Sequence, residues 1–165
     1  MIYVFDTSSI RTVQHFYPRV FKTIWDGLDK LVEQHSLIST REAFNELERQ
    51  AVSDDVLKWT KKHKFLFTTP TGPELQFVAE IFTVKHFQGL IGTQQRLKGT
   101  PVADPFVIAC ARINKGTVVT DEGWQHPGNP LMLKPNAAKI PNVCAHFKIP
   151  CNDLEEFMHQ QGWTF

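Results

Sequence analysis

Four carboxylates stand where a chain of this kind could do chemistry. Asp6 follows the apolar run Met1–Phe5 and opens the polar stretch Asp6-Thr7-Ser8-Ser9. Asp121 follows the apolar segment Thr117–Thr120 in the same way. Asp104 heads an apolar helical segment, and Glu46 lies one turn into another, beyond Glu42. Gathered in one cleft, these groups would repel: at about 5 Å and an effective dielectric of about 20, each like-charge pair costs about 3 kcal/mol. Such a cluster coexists only with protons or cations. Oxygen donors without an accompanying His or Cys favour Mg²⁺ or Mn²⁺ over Zn²⁺. One or two such ions could acidify a water and clamp the leaving oxygen of a phosphodiester.

Each residue also has a plainer reading. Asp6 fits a turn, Asp104 fits a helix N-cap, and Asp121 with Glu122 and Gly123 fits an ordinary turn. Glu42 fits a cap partner. Glu46 and Glu48 flank the Phe44/Leu47 stripe on opposite sides, and spacing alone does not choose between them.

The elements that would position these acids alternate between strand and helix patterns. Met1–Phe5 reads as a buried strand ending at Asp6. Arg19–His35 carries apolar residues at three-to-four spacing and predicts an amphipathic helix. Leu37–Ser39 reads as a brief strand. Ser39-Thr40-Arg41-Glu42 fits a capping box, with Ser39 capping and Glu42 reaching back. Asp54–Lys64 predicts a helix, Phe65–Thr69 a strand, Pro73–Phe87 a helix and Thr93–Lys98 a short helix. Asp104–Ala111 predicts a helix with Pro105 in its first turn, ending near Gly116. Thr117–Thr120 reads as a further buried strand. The alternation predicts an α/β fold with a mainly parallel sheet, in which ligands sit at the carboxyl ends of the strands.

The 165 residues suit one domain, residues 1–165, and five of the ten prolines fall between Pro127 and Pro150. The segment from about residue 124 is therefore expected to be rich in loops. With 42% apolar and 21% charged residues, disordered and low-complexity classes are excluded. No apolar run approaches the roughly 20 residues of a membrane span, and Asp6 interrupts the first one, so neither a membrane segment nor a signal peptide is expected. Cys110, Cys144 and Cys151 lack CxxC spacing, which favours a reducing, cytoplasmic setting over a disulfide framework or zinc ribbon. The seven histidines show no metal-ligand spacing, and there is no P-loop or GxGxxG.

Four segments in this order resemble the PIN-domain family of metal-dependent ribonucleases: Tyr3-Val4-Phe5-Asp6-Thr7-Ser8, Glu42-Ala43-Phe44-Asn45-Glu46-Leu47, Ala103-Asp104-Pro105-Phe106-Val107-Ile108-Ala109 and Val118-Val119-Thr120-Asp121-Glu122. The resemblance spans most of residues 1–150 and is greatest to small stand-alone proteins of the VapC-like toxin type. It implies a three-layer α/β/α fold with strand order 3-2-1-4-5. It also implies an acidic Mg²⁺ or Mn²⁺ site of Asp6, Glu46, Asp104 and Asp121. Ser8 and Thr120 follow as hydroxyl residues near the metal or its water. The implied activity is hydrolysis of RNA phosphodiester bonds, in line, by an acidified water. The implied partners are RNA and a cognate antitoxin that inserts a basic side chain or tail into the cleft.

RNA approaching so acidic a cleft needs flanking cations. Arg96 and Lys98 lie nearest Asp104 in sequence, and Lys61 and Lys62 belong to a basic cluster with Lys58, Lys64, His63 and the stacking candidate Trp59. Arg11 and Arg41 are further single candidates. Dipole-friendly lysines at a helix end explain the Lys58–Lys64 cluster equally well. Trp124, Trp163 and Phe165 lie in turn or tail segments, where they would serve a partner or a homodimer, or pack back on the sheet. Two other functions compete. A haloacid-dehalogenase-like phosphatase also places an Asp after its first strand, but wants a second Asp where this chain has Ser8. An inactive RNA- or protein-binding PIN module would need none of the acids.

Overall fold

The computed structural model describes residues 1–92, 97–99, 102–122 and 138–164. Its centre is a five-stranded sheet: β1 (Tyr3–Phe5), β2 (Leu37–Thr40), β3 (Phe67–Thr68), β4 (Thr117–Val119) and β5 (Cys151–Asn152). The strands are all parallel, in the order β3-β2-β1-β4-β5. That is the order the PIN resemblance implies. Register is fixed by Tyr3 opposite Leu37 and Thr117, and by Val118 opposite Cys151.

A parallel sheet is covered on both faces, so its central strands are apolar throughout. Every residue of β1 and β4 is buried. Alternation sorts the layers. Tyr3 and Phe5 face α8 (Leu154–Gln160), where Phe157 meets both rings edge-on at 4.8 and 4.9 Å. On this face Phe5 also closes over residues of α1 (Thr7–Thr12), α2 (Lys22–Glu33) and α4 (Asp54–Lys62). Across β1, β2 and β4 packs α6 (Asp104–Asn114), with α5 (Gly72–Thr83) and α7 (Ile140–Phe147) beside it. Helix α3 (Arg41–Arg49) leaves the end of β2 and packs on α1.

Several elements differ from the sequence expectation for local reasons. The polar stretch after β1 is a helix rather than a turn: Asp6 caps α1 by accepting from the Ser8 N–H at 3.3 Å. Helix α2 starts at Lys22 because residues 17–21 are folded into a turn by the Val20 and Phe21 N–H groups on the Tyr17 carbonyl. The N-cap of α3 is Thr40, which accepts from Ala43 N. Ser39 instead donates its hydroxyl to the Phe5 carbonyl at 2.6 Å and ties β2 to β1. The strand expected over 65–69 is shortened by a 3₁₀ turn at Lys64–Leu66, and α5 gives way to another at Lys85–Leu90. Beyond residue 138 the chain is not loop-rich: it forms α7, β5 and α8. Most of the expected Thr93–Lys98 helix lies outside the described residues.

Candidate functional site

Asp6 is the fixed point of the site. It directly follows the central strand, is 1% exposed, and donates its backbone N–H to the Val119 carbonyl at 2.9 Å. Its Oδ2 accepts from Ser8 Oγ at 2.7 Å and Thr120 Oγ1 at 3.0 Å. Each hydroxyl has one proton, and both protons go to the same carboxylate oxygen. The 3.2 Å approach of the two hydroxyls is therefore proximity enforced by a shared acceptor. Their own lone pairs take the Asp121 N–H (3.0 Å, on Ser8) and the Glu122 N–H (3.2 Å, on Thr120), which locks the turn after β4 to the start of α1. The other oxygen, Asp6 Oδ1, is buried and has no hydrogen-bond partner.

Glu46 reaches the same edge from α3. Its Oε2 accepts from Thr7 Oγ1 at 2.7 Å and its Oε1 from Ala103 N at 2.9 Å. The second bond joins α3 to the residue before Asp104. Ala103, not Asp104, occupies the N-cap position of α6 and makes no side-chain cap. The Asp104 carboxylate is thus the first residue of the helix and is not consumed by capping. Burial pushes its pKa well up, with the charges of Asp6, Glu122 and Glu46 adding to the shift and Lys139 opposing it.

Glu46, Asp104 and Glu122 line one cleft of about 380 Å³, together with Gln50 and Lys139. Burial also raises the Glu122 pKa, assisted by Asp6 and Glu46 and opposed by Lys139 and Arg11. Asp121 is turned elsewhere: its Oδ1 accepts the Leu154 N–H at 2.9 Å at the head of α8. Glu122 was not singled out in the sequence. The only signal for it was its place directly after Asp121, since consecutive residues leaving a strand diverge. Glu42 pairs with Arg41 at 2.9 Å and does not line the cleft.

The donor set suits a hard divalent cation in chemistry: carboxylate oxygens only, one of them buried and unsatisfied, with protons otherwise needed to keep the acids together. Among the described residues, no three His, Cys, Asp or Glu groups are close enough to enclose an ion by themselves. The acids therefore couple through space without forming a closed cage. An ion here would keep waters in its shell, as Mg²⁺ commonly does.

The expected basic residues divide. Arg96 lies outside the described residues, as do Trp124 and Phe165. Lys98 is exposed and does not line the cleft, and neither do Lys61 and Lys62 on α4. Lys62 pairs with Asp29 at 2.7 Å, and Asp29 also takes Trp59 Nε1 at 2.7 Å and lies 2.9 Å from His63 Nε2. Burial pushes the Asp29 carboxyl up, but hydrogen bonds from Lys62, Trp59 and His63 outweigh it and leave its pKa lowered. Trp59 is 8% exposed and does not offer a stacking face. Trp163 packs back on the core, edge-on to Phe157 at 5.5 Å. Cys110 is no nucleophile: burial, with Glu74 beside it, pushes the thiol up to about 12.

A family model described as a domain of unknown function, DUF4411, matches residues 3–165. Among solved structures, VapBC2 of Rickettsia felis bound to a DNA fragment from their promoter is 12% identical, with a TM-score of 0.49. That similarity covers 93% of this chain and 98% of the other. PAE2754 of Pyrobaculum aerophilum is 14% identical with a TM-score of 0.40, over 90% of this chain and 97% of the other. No curated protein matches the sequence.

Proposed function

The chain belongs to the DUF4411 family, and from its PIN-like sheet order and the carboxylates at the carboxyl edge of that sheet we propose that it is a Mg²⁺- or Mn²⁺-dependent endoribonuclease. One observation supports this reading above the others: the buried, unpartnered Asp6 Oδ1 beside an Asp104 carboxyl whose ionised form is penalised by burial and then by its acidic neighbours. Burying an unsatisfied carboxylate oxygen is costly, and a cation bound at Asp6 would offset that cost.

The residues have distinct roles in this reading. Ser8 and Thr120 hold Asp6 Oδ2 and so aim Oδ1. Glu46, tethered by Thr7 and Ala103, presents its carboxylate from α3. Asp104 and Glu122 line the cleft with Glu46, while Asp6 lies behind them, and Asp121 positions Glu122 by anchoring the turn to α8. A bound ion supplies charge neutralisation and acidifies a water. The protein's part is to hold the acids at one edge and orient them. The toxin role of a toxin–antitoxin pair fits an acidic cleft that a partner's basic side chain would fill. It predicts growth arrest on expression, relieved by Asp6→Asn or by the partner. Among the described residues no helix is long and apolar enough to cross a membrane.

The test is incubation of wild type and Asp6→Asn with a structured-RNA pool in Mg²⁺, Mn²⁺ or EDTA. Metal-requiring cleavage by wild type alone is expected. A phosphorylated Asp6 without RNA cleavage would replace this reading with the phosphatase one.

A further inference from the structure

A cleft with this many carboxylates repels the phosphodiester it is proposed to cut, so a cation of the chain itself has to meet the phosphate. Among the described residues lining the cleft, Lys139 is the only cation. Its Nζ lies 4.0 Å from Glu122 Oε2, with the two side chains 51% and 38% exposed. That separation exceeds the roughly 2.7–2.9 Å of a charge-assisted hydrogen bond, so the pair is loose. The root of the side chain is firm. The Lys139 N–H donates to Asn142 Oδ1 at 2.9 Å, and its carbonyl accepts from Asn142 N at 3.0 Å as α7 begins. Its neighbours Ala138 and Ile140 are buried.

Other cations near this edge are engaged: Arg11 Nη1 donates to Gln50 Oε1 at 3.2 Å, and Arg41 holds Glu42. A flexible ammonium with three donors on a fixed backbone suits a group that must change partners.

We propose that Lys139 is the phosphate-binding cation of this cleft, its ammonium exchanging Glu122 for a non-bridging oxygen of the RNA phosphodiester when substrate enters. The inference rests on the ribonuclease reading for its substrate. The backbone anchors of Lys139 do not depend on its side chain, so its substitution leaves the start of α7 intact.

The experiment measures binding of a fluorescein-labelled single-stranded RNA oligonucleotide by anisotropy across a KCl series in Mn²⁺. It uses the full chain carrying Asp6→Asn to suppress cleavage. Adding Lys139→Gln should lower the slope of log affinity against log salt by about 0.7, the loss of one phosphate contact to a single strand. Lys139→Arg should keep the slope, and Lys61→Gln, outside the cleft, should leave it unchanged. With Asp6 intact, Lys139→Gln should reduce kcat/KM for RNA cleavage about 10- to 100-fold, and Lys139→Arg should recover part of it. An unchanged slope for Lys139→Gln, with its circular dichroism that of the parent, overturns the proposal while wild-type cleavage leaves the ribonuclease reading standing. If wild type cuts no RNA yet the slope still drops, the phosphate contact holds and the ribonuclease reading falls.

Discussion

The neighbours Asp121 and Glu122 do different work, and they separate experimentally. Asp121 accepts the Leu154 N–H, so Asp121→Ala should lower stability by about 1 kcal/mol, the usual loss of such a cap. Glu122 lines the cleft, so Glu122→Gln should cut cleavage at least 10-fold with little change in unfolding midpoint. Chemical denaturation and single-turnover cleavage of both variants check this. Ser8→Ala removes one of two hydroxyls that aim Asp6. Its expected cost is about 10- to 100-fold in Mn²⁺ affinity or activity, as for other residues that orient a metal ligand. The place of Asp6 was legible in the sequence because a carboxylate directly after an apolar run falls at the carboxyl edge of a parallel sheet. The place of Asp104 at the head of a helix was legible too, although its expected capping role falls to the position of Ala103. The cleft position of Glu122 was not legible, because a one-residue difference after a strand decides which way a side chain turns, and it is the Leu154 N–H on Asp121 that settles it.

At the scale of elements, the strand–helix alternation of residues 1–119 follows directly from apolar runs and their turn signals. The shortest pieces do not. Helix α1 has no apolar periodicity to announce it; it forms because Asp6 caps it and the Ser8 and Thr120 hydroxyls hold Asp6 in place. Strand β5 is two residues long and exists by pairing with β4. The C-terminal helices were masked in the sequence by Pro141 and Pro150, although Pro141 lies in the first turn of α7, where proline is tolerated. Their docking makes a prediction. The Trp163 indole lies flat where a Cβ on Gly27 of α2 would be, so no side chain fits there. Gly27→Ala should destabilise the protein by about 1–3 kcal/mol through overpacking, read as a lower urea midpoint at unchanged m-value. Trp163→Ala in the same chain should relieve that clash, so the double variant should lose less than the sum of the two single losses.

For the whole molecule, a net charge of +1 conceals a concentrated negative edge. Asp104 and Glu122 both have raised pKa values in the folded state. Such groups bind protons more tightly folded than unfolded, so in metal-free protein their contribution is full below about pH 4, near the unfolded carboxyl values. It is lost as pH rises through the raised folded values. In EDTA the unfolding midpoint should therefore fall over that interval. Mn²⁺ should reverse the fall at neutral pH, where it replaces the missing protons, by an amount that grows with the logarithm of its concentration. Asp6→Asn should blunt the Mn²⁺ response. Scanning calorimetry at several pH values with and without Mn²⁺ reads both effects.

The decisive measurement is cleavage of a covalently closed RNA circle by wild type and Asp6→Asn, side by side in Mn²⁺ and in EDTA. A circle offers no ends, so only an internal cut opens it. Wild type in Mn²⁺ should linearise it, while EDTA or Asp6→Asn should leave it closed. Equal opening by Asp6→Asn, or opening by wild type in EDTA, would remove Asp6 and its cation from the chemistry and with them the ribonuclease site described above.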